Sequence, residues 1–207
     1  MKKRKIVQGV SLVLFISLII LGKVQVWMAI FGGSLLLSTY FGRFYCGYIC
    51  PINTGMEIID GKANKKKRKR KSVPDLFKKA IVRYGILALF LGTMVIVFKT
   101  GKKLPVLPVL FSLGLIITYF YRPEFWHRYL CPYGSLLSIF SKFNKKAYRV
   151  YNDGCIKCGK CVRVCPADAF IWEDKKDYPL IIKNECLQCG KCVEACATDL
   201  MKLYTIC

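Results

Sequence analysis

The sequence predicts a helical membrane domain of four transmembrane helices, built as a duplicated two-helix unit, followed by a small α+β domain. Three observations predict it. First, the chain has 207 residues, 54% of them hydrophobic, yet carries 34 Lys+Arg against 12 Asp+Glu, a formal charge of +22. A large apolar fraction and a large net charge oppose each other in one soluble core, so the two must be segregated into different solvents. Second, four long apolar runs stand in residues 1–144. Third, eight of the twelve cysteines fall in two tight groups near the C-terminus. The apolar content excludes a disordered chain or a nucleic-acid tail. Grouped cysteines in a chain long enough to build a core read as metal ligation, not as a disulfide framework.

The apolar runs are Ile6–Leu21, Val24–Phe41, Ile81–Phe98 and Leu104–Tyr121, of 16 to 18 residues each. That is the short end of the roughly 17–25 residues that cross a bilayer. Lys2, Lys3, Arg4 and Lys5 precede the first run, and residues 42–80 hold eleven Lys+Arg. The other joints hold Lys23 alone and Lys99, Lys102 and Lys103. The positive-inside rule then expects a multi-pass protein of the cytoplasmic membrane, with both termini and the long middle loop in the cytoplasm. The first run lacks a small-residue cleavage site and is expected to stay. The block Asn64–Lys71 invites a nucleic-acid reading, but between two spans it reads better as a topology determinant on anionic headgroups, with no nucleic-acid partner.

The segments after the second and fourth runs repeat one another. Phe44-Tyr45-Cys46-Gly47-Tyr48-Ile49-Cys50-Pro51 lies over Phe125-Trp126-His127-Arg128-Tyr129-Leu130-Cys131-Pro132. Each has an aromatic pair, a soft ligand, then Cys-Pro, and each follows two spans. An i, i+4 spacing puts both members of each pair on one helical face. Two such faces meeting would assemble Cys46, Cys50, His127 and Cys131 as a third metal or iron–sulfur site. The competing reading makes the cysteines small packing residues, with Cys131 at a helix start, and His127 structural.

From residue 145 the composition changes. Residues 145–207 hold 11 Lys+Arg and 8 Asp+Glu, so +19 of the net charge belongs to residues 1–144. This boundary separates a 1–144 membrane domain from a water-facing 145–207 domain. Within the latter, Cys155-x2-Cys158-x2-Cys161-x3-Cys165-Pro166 is followed by Cys186-x2-Cys189-x2-Cys192-x3-Cys196. Three thiolates two residues apart can wrap one face of a cubane, and in bacterial-type ferredoxins the fourth Cys of each run serves the other cluster. Cys155, Cys158, Cys161 and Cys196 are thus expected to hold one [4Fe–4S] cluster, and Cys186, Cys189, Cys192 and Cys165 a second. Zinc usually takes two distant Cys-x2-Cys units instead. Gly159 and Gly190 would permit close backbone approach to sulfide. Residues 152–203 resemble a two-cluster bacterial ferredoxin, with Ala197 where proline is common. Ala169–Trp172 and Tyr178–Ile182 read as short strands around Glu173–Asp177. Cys207 has no partner by spacing and reads as a free thiol.

The whole order (two spans, Cys-x3-Cys-Pro, a basic loop, two spans, a second such motif, two quartets) resembles the NapH-like and NosR-like membrane-bound polyferredoxins. Here the second motif is His127-x3-Cys131-Pro, and the large flavin domain of NosR-like members is lacking. The resemblance implies electron transfer between a cytoplasmic donor or acceptor and a membrane partner or quinone, with a flavoprotein or complex subunit as further partner. No acid–base, nucleophile or phosphate-loop motif appears, so the chemistry is the cofactor's, in a carrier or oxidoreductase subunit and not a stand-alone enzyme. The competing function is a redox or metal sensor, or a maturation factor, that governs a partner protein. Whether copies associate as a homo-oligomer is left open.

Overall fold

The apolar runs become helices whose ends are set by glycine, proline and charge. The computed structural model describes residues 2–100, 105–144, 146–150, 154–172, 178–198 and 201–205. Helix α1 (Lys2–Ile20) turns back at Gly22 into α2 (Val24–Phe41). A five-residue helix α3 (Phe44–Tyr48) then leads to α4 (Pro51–Lys65), which carries Pro51 at its first turn, where no N–H is needed. A short α5 (Asp75–Lys78) precedes α6 (Ala80–Thr100), and Pro105 opens α7 (Val106–Phe120). A π-helix over Phe125–Leu130 leads to α8 (Pro132–Phe140), again with proline at its start.

Helix α1 packs on α2, α3 and α4; α4 lies along α7; α8 sits between α2 and α6. Aromatic residues fill the middle. Phe31 meets Tyr45 and Tyr133 edge-on, with centroids 5.4 and 4.6 Å apart, and Trp27 Nε1 donates to the Tyr45 hydroxyl at 2.8 Å. The outer surface is also apolar: Val10, Val13, Ile20, Leu36, Ile81, Leu89, Ile96 and Val109 are all exposed.

Among the described residues, two helices have the length and composition to cross a membrane, Val24–Phe41 and Ala80–Val97, and only 6% of the latter is buried. The sequence predicts four. The fourth expected span contracts to the 15 residues of α7, because Pro105 delays the helix and Tyr121 leaves it in extended geometry. Leu104, with Lys102 and Lys103, lies outside the described residues. The first run is lengthened at its N-terminus by four basic residues, so α1 opens on a charged turn and is not a uniformly apolar rod.

The basic block is more structured than a headgroup tether. Arg68 stacks over the Tyr119 ring at 3.7 Å, and Arg70 pairs with Asp60 at 2.6 Å. The backbone of Lys71 bridges Phe120 and Arg122 through N···O contacts of 3.1 and 3.2 Å.

Beyond residue 145, β1 (Lys146–Val150) pairs antiparallel with β4 (Met201–Thr205), with Lys146 opposite Thr205 and Val150 opposite Met201. Between them come α9 (Lys160–Arg163), the two-residue strands β2 (Phe170–Ile171) and β3 (Leu180–Ile181), and α10 (Lys191–Ala195). Strands β2 and β3 pair antiparallel, inside the two segments expected from sequence. The expected turn Glu173–Asp177 and Cys207 lie outside the described residues. This cysteine-rich segment is seated directly on the helices. The Lys183–Glu185 turn lies against α8, and β1 against α2.

Candidate metal centre

Each cysteine run follows the same local course. A loop carries the first two cysteines, a glycine reverses the chain, and a short helix presents the third. Gly159 and Gly190 have φ of +66° and +72° and cap α9 and α10 in the left-handed region, where a side chain is costly. The residue before the second cysteine of each run is also left-handed, Lys157 at φ 52° and Gln188 at φ 55°. These two positions were not legible in the sequence, since neither Lys nor Gln favours positive φ. Their recurrence at the same point of both runs curls each loop around a hollow.

The hollows hold the predicted residues. Cys165, Cys186, Cys189 and Cys192 line one cavity of about 340 Å³, with Pro166, Phe170 and Ile181. Cys155, Cys158, Cys161 and Cys196 line a second, of about 410 Å³, with Val150, Pro179 and Met201. Each cavity thus takes three cysteines from one run and the fourth from the other. Among the described residues no disulfide joins the cysteines. The donor sets suit an iron–sulfur group: four soft ligands, an otherwise apolar wall, and lysines (Lys191; Lys157 and Lys160) among the lining residues of thiolate-rich sites. Burial pushes the Cys186 thiol up to about 12 and that of Cys165 to about 11. Left to themselves these thiols stay protonated at neutral pH, whereas a coordinating metal removes the proton outright.

The Cys-Pro motifs depart from the continuous helix that their spacing suggests. In both, the helix breaks with an i→i+5 bond: Cys50 N–H donates to the Tyr45 carbonyl and Cys131 N–H to that of Trp126, each at 2.8 Å. Cys50 and Cys131 are then extended N-caps of the proline-led helices α4 and α8, and the Cys131 sulfur accepts the Gly134 N–H at 3.3 Å. Such one-residue bulges are frequent at functional sites.

The bulges bring Cys46, Cys50 and Cys131 together. Cys50 is pushed well above the ordinary thiol range by burial and then by its neighbours Cys46 and Cys131; burial and Cys46 lift Cys131 to about 12. His127 is buried, and burial with the cations Arg43 and Lys191 lowers it to about 3, so the imidazole is neutral. Its charged neighbours are those two cations. Among the described residues, no three His, Cys, Asp or Glu side chains are arranged to hold a single metal ion.

Three features tie this group to the cavity of Cys165, Cys186, Cys189 and Cys192. A Cβ on Gly47 would stand 2.3 Å from the Leu187 carbonyl oxygen, so the loop carrying Cys186 and Cys189 rests on the backbone of α3. Arg4, at the start of α1, donates to the Cys189 carbonyl and pairs with Glu57. Gln8, one of the polar residues of the first apolar run, donates to the Gly47 carbonyl at 3.0 Å. Cys46, Leu187 and Cys189 accordingly share one buried apolar cluster.

Beside it sits an ionic centre. Glu185 accepts from Arg43 Nη1 at 2.9 Å, Arg83 Nη1 at 2.6 Å and Ser138 Oγ at 2.9 Å, and Arg43 Nη2 donates to the His127 carbonyl at 3.1 Å. Arg83 is the one charge inside the third apolar run, which is the sequence signal that could have found this centre.

Comparison with known proteins finds iron–sulfur domains over the same segments. Residues 24–70 and again 104–149 match the family described as a 4Fe-4S binding domain, and residues 154–201 match a 4Fe-4S dicluster domain. The double match falls on the two halves of the internal repeat. Relatives include the uncharacterized MJ0749 of Methanocaldococcus jannaschii, 29% identical over 68% of this chain and 58% of that protein. The methylamine utilization ferredoxin-type protein MauN of Methylorubrum extorquens is 27% identical over 70% of this chain and 55% of its own length. YccM of Escherichia coli, named provisionally as an electron transport protein, is 24% identical over 64% of this chain and 44% of its own. The chain spans about half the length of these curated relatives. No solved structure matches it. The chain thus carries 4Fe-4S ferredoxin-type domains, and relatives of it are named as ferredoxin-type and electron transport proteins.

Proposed function

We propose that the chain is a membrane-anchored conductor of electrons between a cytoplasmic redox protein and a partner or quinone within the membrane. The observation that carries this reading is the seating of the Cys186–Cys189 loop on Gly47, which sets the cavity of Cys165, Cys186, Cys189 and Cys192 beside the Cys46, Cys50 and Cys131 group.

Two [4Fe–4S] clusters are assigned here, one to Cys155, Cys158, Cys161 and Cys196, the other to Cys165, Cys186, Cys189 and Cys192. Such clusters, when bound, take up and release single electrons. The protein's own residues fix where this happens. The apolar walls exclude water, the left-handed Lys157 and Gln188 turn the loops inward, and Arg4 clamps the Cys189 carbonyl. A third iron–sulfur site is assigned to Cys46, Cys50 and Cys131, with His127 as fourth ligand. Its support is the match of both motifs to a 4Fe-4S binding family and the mutual proximity of the three thiols.

Membrane anchoring is supported by two helices of spanning length and by the exposed apolar belt. The basic N-terminus and basic block support cytoplasmic placement of both termini and of the cysteine-rich domain. The link to nitrate and nitrous oxide reductase polyferredoxins rests on motif order.

Anaerobic purification with iron and sulfide assay, followed by EPR, tests the assignment. About eight irons are expected from the two quartets, and more if the third site is filled. Loss of the surplus in Cys46→Ser or His127→Ala would establish the third site; unchanged iron in both would remove it. Stopped-flow reoxidation by a quinone tests conduction. Centres that reduce but never pass electrons on would replace the conductor with a sensor.

A further inference from the structure

Beside Cys165 the surface opens into a groove of about 920 Å³. It is walled by the start of α1, the second half of α4, residues 68–70 and 122–124, and the ends of α9 and α10. Its lining holds eight Arg and Lys against four Asp and Glu. Three of those acids are engaged inside the groove: Glu57 with Arg4 and Lys191, Asp60 with Arg70, and Glu124 with Arg122. The surplus of positive charge is carried by exposed Lys5, Lys69 and Arg163. Arg70 supplies a second, independent sign. Its side chain is 8% exposed, Nη2 is used on Asp60 and Asn64, yet Nη1 is buried with no hydrogen-bond partner. A buried guanidinium N–H without an acceptor costs free energy that an incoming carboxylate would recover.

We propose that this groove is the docking surface for a soluble, acidic one-electron carrier protein, whose carboxylates meet Lys5, Lys69, Arg70 and Arg163. The proposal rests on the conductor reading and names the partner's face. Lining argues for a protein. Small-molecule pockets are mostly apolar, whereas this groove is walled by eight cationic and four acidic side chains. Position argues for a redox protein, because Cys165 and Pro166 line both the groove and the cavity of Cys186, Cys189 and Cys192. On transfer one electron leaves the docked carrier, which is oxidised, and enters this chain, which is reduced; no bond forms or breaks. Long-range attraction by the positive face speeds such encounters at low salt.

The test uses the full chain with its iron, held in nanodiscs of uncharged phosphatidylcholine, with flavodoxin as the acidic carrier. Affinity is read by surface plasmon resonance. Binding should weaken at least about tenfold between about 20 and 200 mM NaCl, and by about tenfold again in Lys69→Glu/Arg122→Glu. Lys23→Glu, at the opposite end of α1, should bind like the parent chain. Should the double reversal fail to fold, Lys69→Gln/Arg122→Gln decides, with a smaller loss expected. Equal affinity in groove and parent chains, or an equal loss in Lys23→Glu, overturns the proposal. So does a groove variant that keeps flavodoxin but loses binding to phosphatidylglycerol vesicles, which would make the groove a lipid site. Dithionite reduction separates the two readings. Chains whose iron dithionite cannot reduce end the conductor reading, while reducible chains with charge-insensitive flavodoxin binding end only the groove.

Discussion

Arg43 and Glu185 form a buried ion pair, Nη1 to Oε2 2.9 Å, between residues 142 positions apart in the chain, with the arginine side chain fully enclosed. Arg43 begins the turn into α3, and Glu185 immediately precedes Cys186, a proposed cluster ligand. With Arg83 and Ser138 they fasten the cysteine-rich segment to the helices.

Glu185→Gln keeps the shape of the side chain and leaves two guanidinium groups facing a neutral amide. Removing one partner of a buried pair costs about 3–5 kcal/mol. The variant should show a lower denaturant midpoint and faster hydrogen exchange over residues 183–192, with little change in helix content by circular dichroism.

Burial pushes the Glu185 carboxyl up, but Arg43, Arg83 and Ser138 outweigh it and leave it below its ordinary value. A depressed folded value means that the pair stabilises fully above the unfolded carboxylate range and loses that contribution as pH falls through the folded value. Acid titration followed by hydrogen exchange should open the 183–192 region below the ordinary glutamate range. In Glu185→Gln that acid step should vanish, because nothing remains to titrate.

Gly47→Ala would place a methyl 2.3 Å from the Leu187 carbonyl, a backbone atom that cannot rotate aside. Overpacking of this kind costs about 1–3 kcal/mol. Iron retention should fall, with EPR of the Cys186 cavity broadened first. Gly61→Ala, with open space at its Cβ, is the matched control.

Crossed ligation makes a double-variant prediction. Cys165→Ala and Cys189→Ala empty the same cavity, so together they should lose no more iron than either alone. Cys165→Ala with Cys158→Ala should lose the iron of both cavities. The reverse pattern would mean that each run closes on its own fourth cysteine.

The quartets and their crossing were legible in the sequence because cluster geometry dictates the spacing Cys-x2-Cys-x2-Cys-x3-Cys. The duplicated motif was legible too, in Phe44–Pro51 and Phe125–Pro132. The i→i+5 breaks at Cys50 and Cys131 were not, since nothing in residue type distinguishes a π bulge from a regular turn before Pro. Nor was the role of Arg4. A basic N-terminus reads as topology, and only the fold shows that its guanidinium reaches the Cys189 carbonyl. Of the four expected spans, two appear among the described residues as helices of spanning length, and hydropathy cannot see that Pro105 and Tyr121 trim the last apolar run to 15 helical residues.

The resting of Leu187 on Gly47 also decides what kind of carrier this can be. A redox module on a slack tether collects charge in one place and swings to deliver it in another, so its rate follows the search. Here the module is bolted down, and the gap between neighbouring thiol groups is a constant of the fold. Under the proposed conduction, throughput would be governed by how partners arrive and leave at the two ends, with the middle a fixed terminal.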